Sequence, residues 1–356
     1  MAFGYIDTQN IDFAVGQSES RLRNMQNRLG INFSEFYTRL DGALTALNSS
    51  PDPTVTSLIT RTDSDRVATG ATGSKVWQRG GEYSIVRPQK GGSAGHLLPL
   101  YHYAMSLGFT AEALQVMTVD RFQAEIASAI QGIARGQRAD VLERLFQNTE
   151  NVLDGDGVGA SPGFAGSGTG SNVYAGPLPP GAGSLNLYAR VDSAGLDAQI
   201  KTYQQNLNFF HGSGPLDLLT SSAGLALVTA LPGFVAAGSA LVRAAVGSTE
   251  AMVDANEYVG VLNGNIRVRH ADAQISGTGI AIFKSYGAND VRNPLAWRFS
   301  PIWGDGAIVN DRDLFPLANA EISQYYGVGV NNRAGAALIA VAASGTYAAN
   351  VPTVSR

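Results

Sequence analysis

Apolar positions along the chain follow two periods, and they alternate in blocks. Phe33, Phe36, Tyr37, Leu40, Leu44 and Leu47 recur at three- and four-residue steps, which predicts a helix from about residue 32 to 47. The same spacing returns in Phe122, Ile126, Ile130, Ile133, Val141 and Leu145. Thr118 stands where it can cap that helix, with Asp120 near the positive end of its dipole. Some thirty residues at this rise make a rod of roughly 45 Å, against a usual ~10–14 residues. Thr110 is placed to cap a short helix just before it, with Glu112 in the first turn. A further helix follows Asp192 or Ser193, with Leu196, Ile200, Tyr203 and Leu207 on one face. Residues 222–231 form another, stopped by Pro232.

Between the helices the period changes to that of strands. Residues 54–62 and 75–86 read as two β-rich runs flanking a Gly/Thr/Ser/Asp tract, and Gly91-Gly-Ser-Ala-Gly95 follows. That is a long hairpin with few large apolar residues, too poor in core to stand alone. Residues 216–219, 279–286, 296–300, 322–330 and 337–341 are further strands. Residues 258–262 and 265–269 are joined by Asn263-Gly264, the strongest two-residue hairpin signal. Helices and strands mix without a βαβ rhythm, so the fold class is α+β. Residues 1–30 carry no continuous apolar face and read as an arm, while 151–187 is a Gly/Ser/Pro/Ala loop. No internal repeat is present.

Composition sharpens this picture. Apolar residues reach 44% and charged ones only 15% of 356, well under the usual ~25%. Low charge suits a surface that ends up against other subunits, since interface cores are depleted in charge; a large monomer with little surface fits equally. The 42 glycines are not periodic, which excludes collagen, and they gather in loops. With no cysteine, disulfides and thiolate metal sites are impossible. Met-Ala-Phe-Gly-Tyr-Ile-Asp at the start lacks the basic and apolar regions of a secretory signal. The most apolar stretch, 223–242, is broken by Pro232 and by glycines and serines, so no membrane span is expected. A net charge of −4 argues against a general nucleic-acid binder.

Candidate chemistry fails on context. Gly91-Gly-Ser93-Ala-Gly95 with His96 matches a hydrolase pattern, but Arg87-Pro-Gln-Lys90 before it is no core strand and Pro99 follows soon. Asp154-Gly-Asp156-Gly-Val-Gly faintly resembles a calcium loop, yet the bidentate position holds Ala165. His96, His102, His211 and His270 show no ligand spacing, Gly70-Ala-Thr-Gly73-Ser-Lys75 is not a phosphate-binding loop, and 155–170 contains no G-x-G-x-x-G. No catalytic residue, cofactor or metal is expected. Charge placement is more informative. Arg61, Arg66, Lys75, Arg79, Arg87 and Lys90 outnumber Asp63, Asp65 and Glu82 by three. Glu143, Glu150, Asp154 and Asp156 outnumber Arg144 by the same margin. A basic hairpin and an acidic helix end can meet between chains, where complementary charge sets register.

Taken in order, these parts resemble the Hong Kong 97-type capsid fold of tailed bacteriophages. Residues 1–50 look like its N-terminal arm and helix, 51–100 its extended loop, and 101–185 its peripheral domain with the long spine helix. Residues 186–290 look like its axial domain, and 291–356 the return to the peripheral domain and C-terminus. The most family-like stretch is Glu321-Ile-Ser-Gln-Tyr-Tyr-Gly-Val-Gly-Val-Asn-Asn-Arg-Ala-Gly-Ala-Ala-Leu-Ile-Ala-Val. The resemblance implies a major capsid protein, not an enzyme, whose partners are its own copies in pentamers and hexamers. It also implies a portal, a scaffold protein unless the chain is already mature, and in some members a decoration protein. Packaged double-stranded DNA would be touched weakly and non-specifically. The place implied is the virion, assembled in the host cytoplasm. Some members crosslink a loop lysine to a neighbour's asparagine. Lys75 and Lys90 lie in the right loop, with Asn331, Asn332 and Asn350 available. Glycine-rich joints at 67–73, 91–95 and 155–170 would let one chain fill five-fold and six-fold positions. An encapsulin-type cargo shell shares the fold and is the alternative. A tail or surface-fibre protein would need repeats or a coiled coil, and neither is found.

Overall fold

The computed structural model describes residues 33–49, 52–72, 92–110, 119–146, 187–237, 258–270, 275–311, 317–350 and 352–354. Helices α1 (Phe33–Ser49) and α2 (Pro53–Leu58) precede β1 (Ile59–Thr62), β2 (Arg66–Thr72), β3 (Gly92–Leu97) and β4 (Tyr101–Thr110). Helix α3 (Val119–Phe146) is followed by β5 (Tyr188–Val191), α4 (Leu196–His211), β6 (Leu216–Thr220), α5 (Ser222–Thr229) and β7 (Phe234–Ala236). Strands β8 (Tyr258–Leu262), β9 (Ile266–His270), β10 (Gly279–Phe283), β11 (Leu295–Phe299), β12 (Ile308–Asp311), β13 (Leu317–Val330) and β14 (Ala336–Val341) complete the described elements. The chain divides into two compact units. One draws on Met1–Asp52, Leu100–Gly136 and Phe299–Tyr326, the other on Pro53–Pro99, Gln137–Arg298 and Gly327–Arg356.

In the first unit, β13 is the spine of an antiparallel ribbon. Leu317 to Tyr326 pair with Thr110 to Tyr101 of β4, and Ala320 to Ser323 pair with β12. Leu40 and Leu44 of α1, Ile126 and Ala129 of α3, Ala307 and Ile322 make its buried cluster. Those helix residues stand three or four apart because only such positions share a helix face. Asn48 fixes the end of α1, donating to the Ala307 carbonyl and accepting from the Ala307 N–H, each at 3.2 Å.

The second unit is built on a seven-stranded mixed sheet in the order β5-β14-β10-β6-β9-β8-β7. Leu216, Leu218, Ile266, Val268, Ile280, Ile282, Ala337 and Ile339 occupy one face and pack against Leu196, Ile200, Tyr203 and Leu207 of α4. Those four are the positions that the helical spacing predicts, and each buried side chain contributes about 1.5–3 kcal/mol. Strand alternation sends Leu219, Ala281, Phe283 and Leu338 to the opposite face, where all are buried. There Phe146, at the end of α3, lies against Gly279: a Cβ on that glycine would sit 3.3 Å from the Phe146 ring. The Tyr347 hydroxyl donates to the Phe146 carbonyl at 3.1 Å, and burial drives its pKa upward. The Asn263-Gly264 turn forms as expected, with both residues at positive φ (51° and 71°).

The region around the hairpin differs from the sequence expectation. Residues 54–58 are helical rather than extended. Pro53 suits a first helical position, Ser57 donates to the Thr54 carbonyl at 2.9 Å, and Val55 and Leu58 are buried. Only Ile59–Thr62 is strand, pairing in parallel with β11. The described arms of the hairpin are β2 and β3, which lie in the Gly/Thr/Ser tracts; residues 75–86 are outside the described residues. Thr110 ends a ten-residue strand that the pattern reading missed, while the helix proposed to follow it, and the cap at Thr118, fall outside the described residues.

Candidate assembly surfaces

The predicted contact residues are placed as follows. Arg61 lies on β1, its backbone N–H donating to Asn289 Oδ1 at 3.3 Å. Arg66 opens β2 opposite Leu97. Glu143 is exposed on α3 among the buried Val141, Leu142, Arg144 and Leu145. Lys75, Arg79, Arg87, Lys90, Glu150, Asp154 and Asp156 lie outside the described residues.

Ser93 sits within β3, in a two-stranded ladder with β2, and not on a strand-to-helix turn. Among the described residues no group of histidines and carboxylates could hold a metal. No helix among them is long and apolar enough to cross a membrane. Three of the histidines have local partners. His102 stacks on Tyr325 at 4.4 Å, and His270 Nε2 meets the Ser222 hydroxyl at 2.9 Å. His211 Nε2 lies 2.7 Å from the Ala334 carbonyl, and burial lowers its pKa.

Two surface features were not foreseen. The loop of residues 284–294 is braced by amides. Asn293 Nδ2 donates to the Ile59 and Gly287 carbonyls at 2.8 and 2.9 Å. Asn331 Nδ2 donates to Val291 and Asn293, both at 2.9 Å, and Asn332 Nδ2 to Arg292 at 3.2 Å. Arg292 lies over the Tyr286 ring at 3.9 Å and forks onto Asp290, which holds the Asp290 pKa down to about 2. Val291 protrudes from this frame, 77% exposed. Asn350 Nδ2 likewise holds the carbonyls of Ser344 and Thr346. All three asparagines considered for a crosslink therefore serve as braces. The second feature is the turn at 300–304, where Pro301, Ile302 and Trp303 are exposed in succession.

Beneath the surface, Asp217 is fully buried beside its neighbour strand. It accepts from Arg267 Nε at 2.6 Å and Nη2 at 3.1 Å, with Arg269 at 3.8 Å. No signal in the sequence marks this cluster; the parallel register of β6 with β9 sets Asp217 opposite Arg267.

No family model matches the sequence, and no curated protein does. Solved structures match over most of its length. One from Mycobacterium phage Patience superposes with a TM-score of 0.59 at 17% identity, covering 91% of this chain and 92% of that one. The asymmetric unit of the bacteriophage PhiM1 mature capsid gives 0.52 at 9% identity, covering 83% and 89%. This chain has a tailed-phage capsid fold of the Hong Kong 97 type. The capsid fold accounts for the mixture of helices and strands in both units. At such identities it transfers no individual residue, so contact residues have to be argued from this chain's own geometry.

Proposed function

We propose that the protein is the major capsid protein of a tailed bacteriophage, assembling as pentamers and hexamers into the icosahedral shell around its double-stranded DNA. The end-to-end likeness to the Mycobacterium phage Patience structure carries this reading, because it uses nine-tenths of both chains. Further support comes from the parts. The β2–β3 hairpin pairs with no other strand among the described residues, and two strands alone are marginal. A neighbouring copy would supply the missing cover, so residues 51–100 act as the extended loop. Helix α3, 28 residues and about 42 Å long, fits the spine helix. The seven-stranded sheet, mostly from residues 187–283, fits the axial domain. Residues 1–50 act as the arm and its helix, 101–185 as the peripheral domain, and 291–356 as the return to it.

In this reading the basic loop (Arg61, Arg66, Lys75, Arg79, Arg87, Lys90) meets the acidic end of the spine helix (Glu143, Glu150, Asp154, Asp156) of an adjacent copy. The exposure of Glu143 is compatible with that. A net charge of −4 leaves the wall without strong affinity for packaged DNA. Portal, scaffold and decoration proteins are the other partners. Negative-stain microscopy of the purified chain tests the proposal. Closed shells, pentamers or hexamers are expected, and a monomer that persists at high concentration both alone and with its scaffold protein would refute it.

A further inference from the structure

The turn at residues 300–304 is built to present apolar surface. Ile302 is 83% and Trp303 52% exposed. They are two of the four large apolar side chains exposed among the described residues, and they are adjacent. The turn is held from inside. The Ser300 hydroxyl accepts the N–H groups of Ile302 and Trp303 at 3.3 and 3.4 Å. The Gly304 N–H donates to the Ser300 carbonyl at 2.8 Å, and Gly304 takes a φ of +79°, which favours glycine. Ser300 is in turn tied to β13, its N–H donating to the Tyr325 carbonyl at 3.3 Å. The indole is positioned as well. Trp303 lies parallel to Tyr325 (5.6 Å between centroids, 16° between planes), and Tyr325 stacks on His102 at 4.4 Å and 18°.

A half-exposed tryptophan fixed by a ring stack loses little freedom on docking, and tryptophan is the side chain most enriched among binding hot spots. Solvation gives no reason to brace such a tip: a free surface turn is served as well by polar residues.

We infer that residues 301–303 form a plug by which one copy of this chain docks onto another in the shell. This rests on the capsid reading above. The size of the tip selects the partner. Two side chains of this kind offer on the order of 300 Å², whereas a stable pair needs about 800 Å² from each side. The plug is too small to retain a separate protein. It suffices where many identical contacts close together and support one another. A convex plug does not pack on its own counterpart, so the contact joins the tip of one copy to a different patch on its neighbour.

The chain has no cysteine, so Ile302→Cys introduces a unique thiol. Its reaction with a maleimide is followed in the unassembled chain and in shells formed by the purified chain alone. The expected result is rapid labelling of the free chain and at least about tenfold slower labelling in shells, the loss of access that a well-packed contact imposes. Equal labelling in both states overturns the inference and leaves the capsid reading intact. Protection that appears only after another phage protein is added also overturns it, because the occupant is then not a second copy. Ile302→Asp supplies an independent readout: circular dichroism like that of the parent, with shells lost. Shells as abundant as the parent's would overturn the inference. If the unaltered chain forms no shells, alone or with its scaffold protein, the capsid reading fails and the inference falls with it.

Discussion

Asp217→Ala removes the carboxylate that Arg267 and Arg269 share on the face of the large sheet opposite α4. In the native chain Asp217 has no exposed side-chain surface, Arg269 keeps 14% and Arg267 32%. Breaking a buried ion pair from one side costs about 3–5 kcal/mol, because the other charge is left without its partner. Arg267 is near one-third exposed and recovers part of its hydration, which moves the expectation to the lower end, about 3 kcal/mol. That is roughly a hundredfold in the folding equilibrium. The assay is urea unfolding of the unassembled chain, followed by far-ultraviolet circular dichroism, for Asp217→Ala, Arg267→Met and the double variant. Asp217 and Arg267 share two hydrogen bonds, so the double variant should cost less than the two single costs added, by about 1 kcal/mol or more. Strict additivity, or a loss under about 1 kcal/mol for Asp217→Ala, would refute the view that the pair is coupled and fixes β6 against β9.

Two further substitutions test local arguments. Gly264→Ala places a Cβ at a φ of +71° and should lower stability by about 1–2 kcal/mol, read as a shift in the urea midpoint. His211 is held neutral by burial, so its folded pKa lies below 6.5. Its contribution is complete above pH 6.5 and is lost as pH falls through the lowered folded value. Thermal melts across that range should therefore show a steeper acid-side loss for the parent than for His211→Gln, and parallel profiles would refute the assignment.

Much of the second unit was legible because its signals are local. Leu196, Ile200, Tyr203 and Leu207 fall on one helix face by spacing alone, and Asn263-Gly264 fixes its own turn. The errors came where local propensity was weak or misleading. Thr54, Val55 and Thr56 favour strand singly, but Pro53 and the Ser57–Thr54 bond close a helical turn around them. Strand β4 carries a real two-residue period. Tyr101, Tyr103, Met105 and Leu107 are half-buried, while His102, Ala104, Ser106 and Gly108 are exposed. That period was available in the sequence but obscured by the small residues on its outer face. The plug at 301–303 and the Asp217 cluster were not legible. A run of Pro-Ile-Trp reads as core until its exposure is known, and Asp217 meets Arg267 only through the pairing of strands 50 positions apart.

The discontinuity of the first unit has a consequence for synthesis of the chain. Leu40 and Leu44 are buried with Ala307 and Ile322, residues that leave the ribosome far later. At ~5–20 residues per second the about 280 intervening residues take roughly 15–55 s. Throughout that interval the apolar face of α1 has no native partner from the C-terminal strands, although the second unit's sheet lacks only β14 by then. The nascent chain must therefore spend most of its synthesis with the apolar face of α1 only partly covered, by α3 and β4 alone, a window in which a holding chaperone or a co-expressed companion protein would raise the yield of soluble subunits.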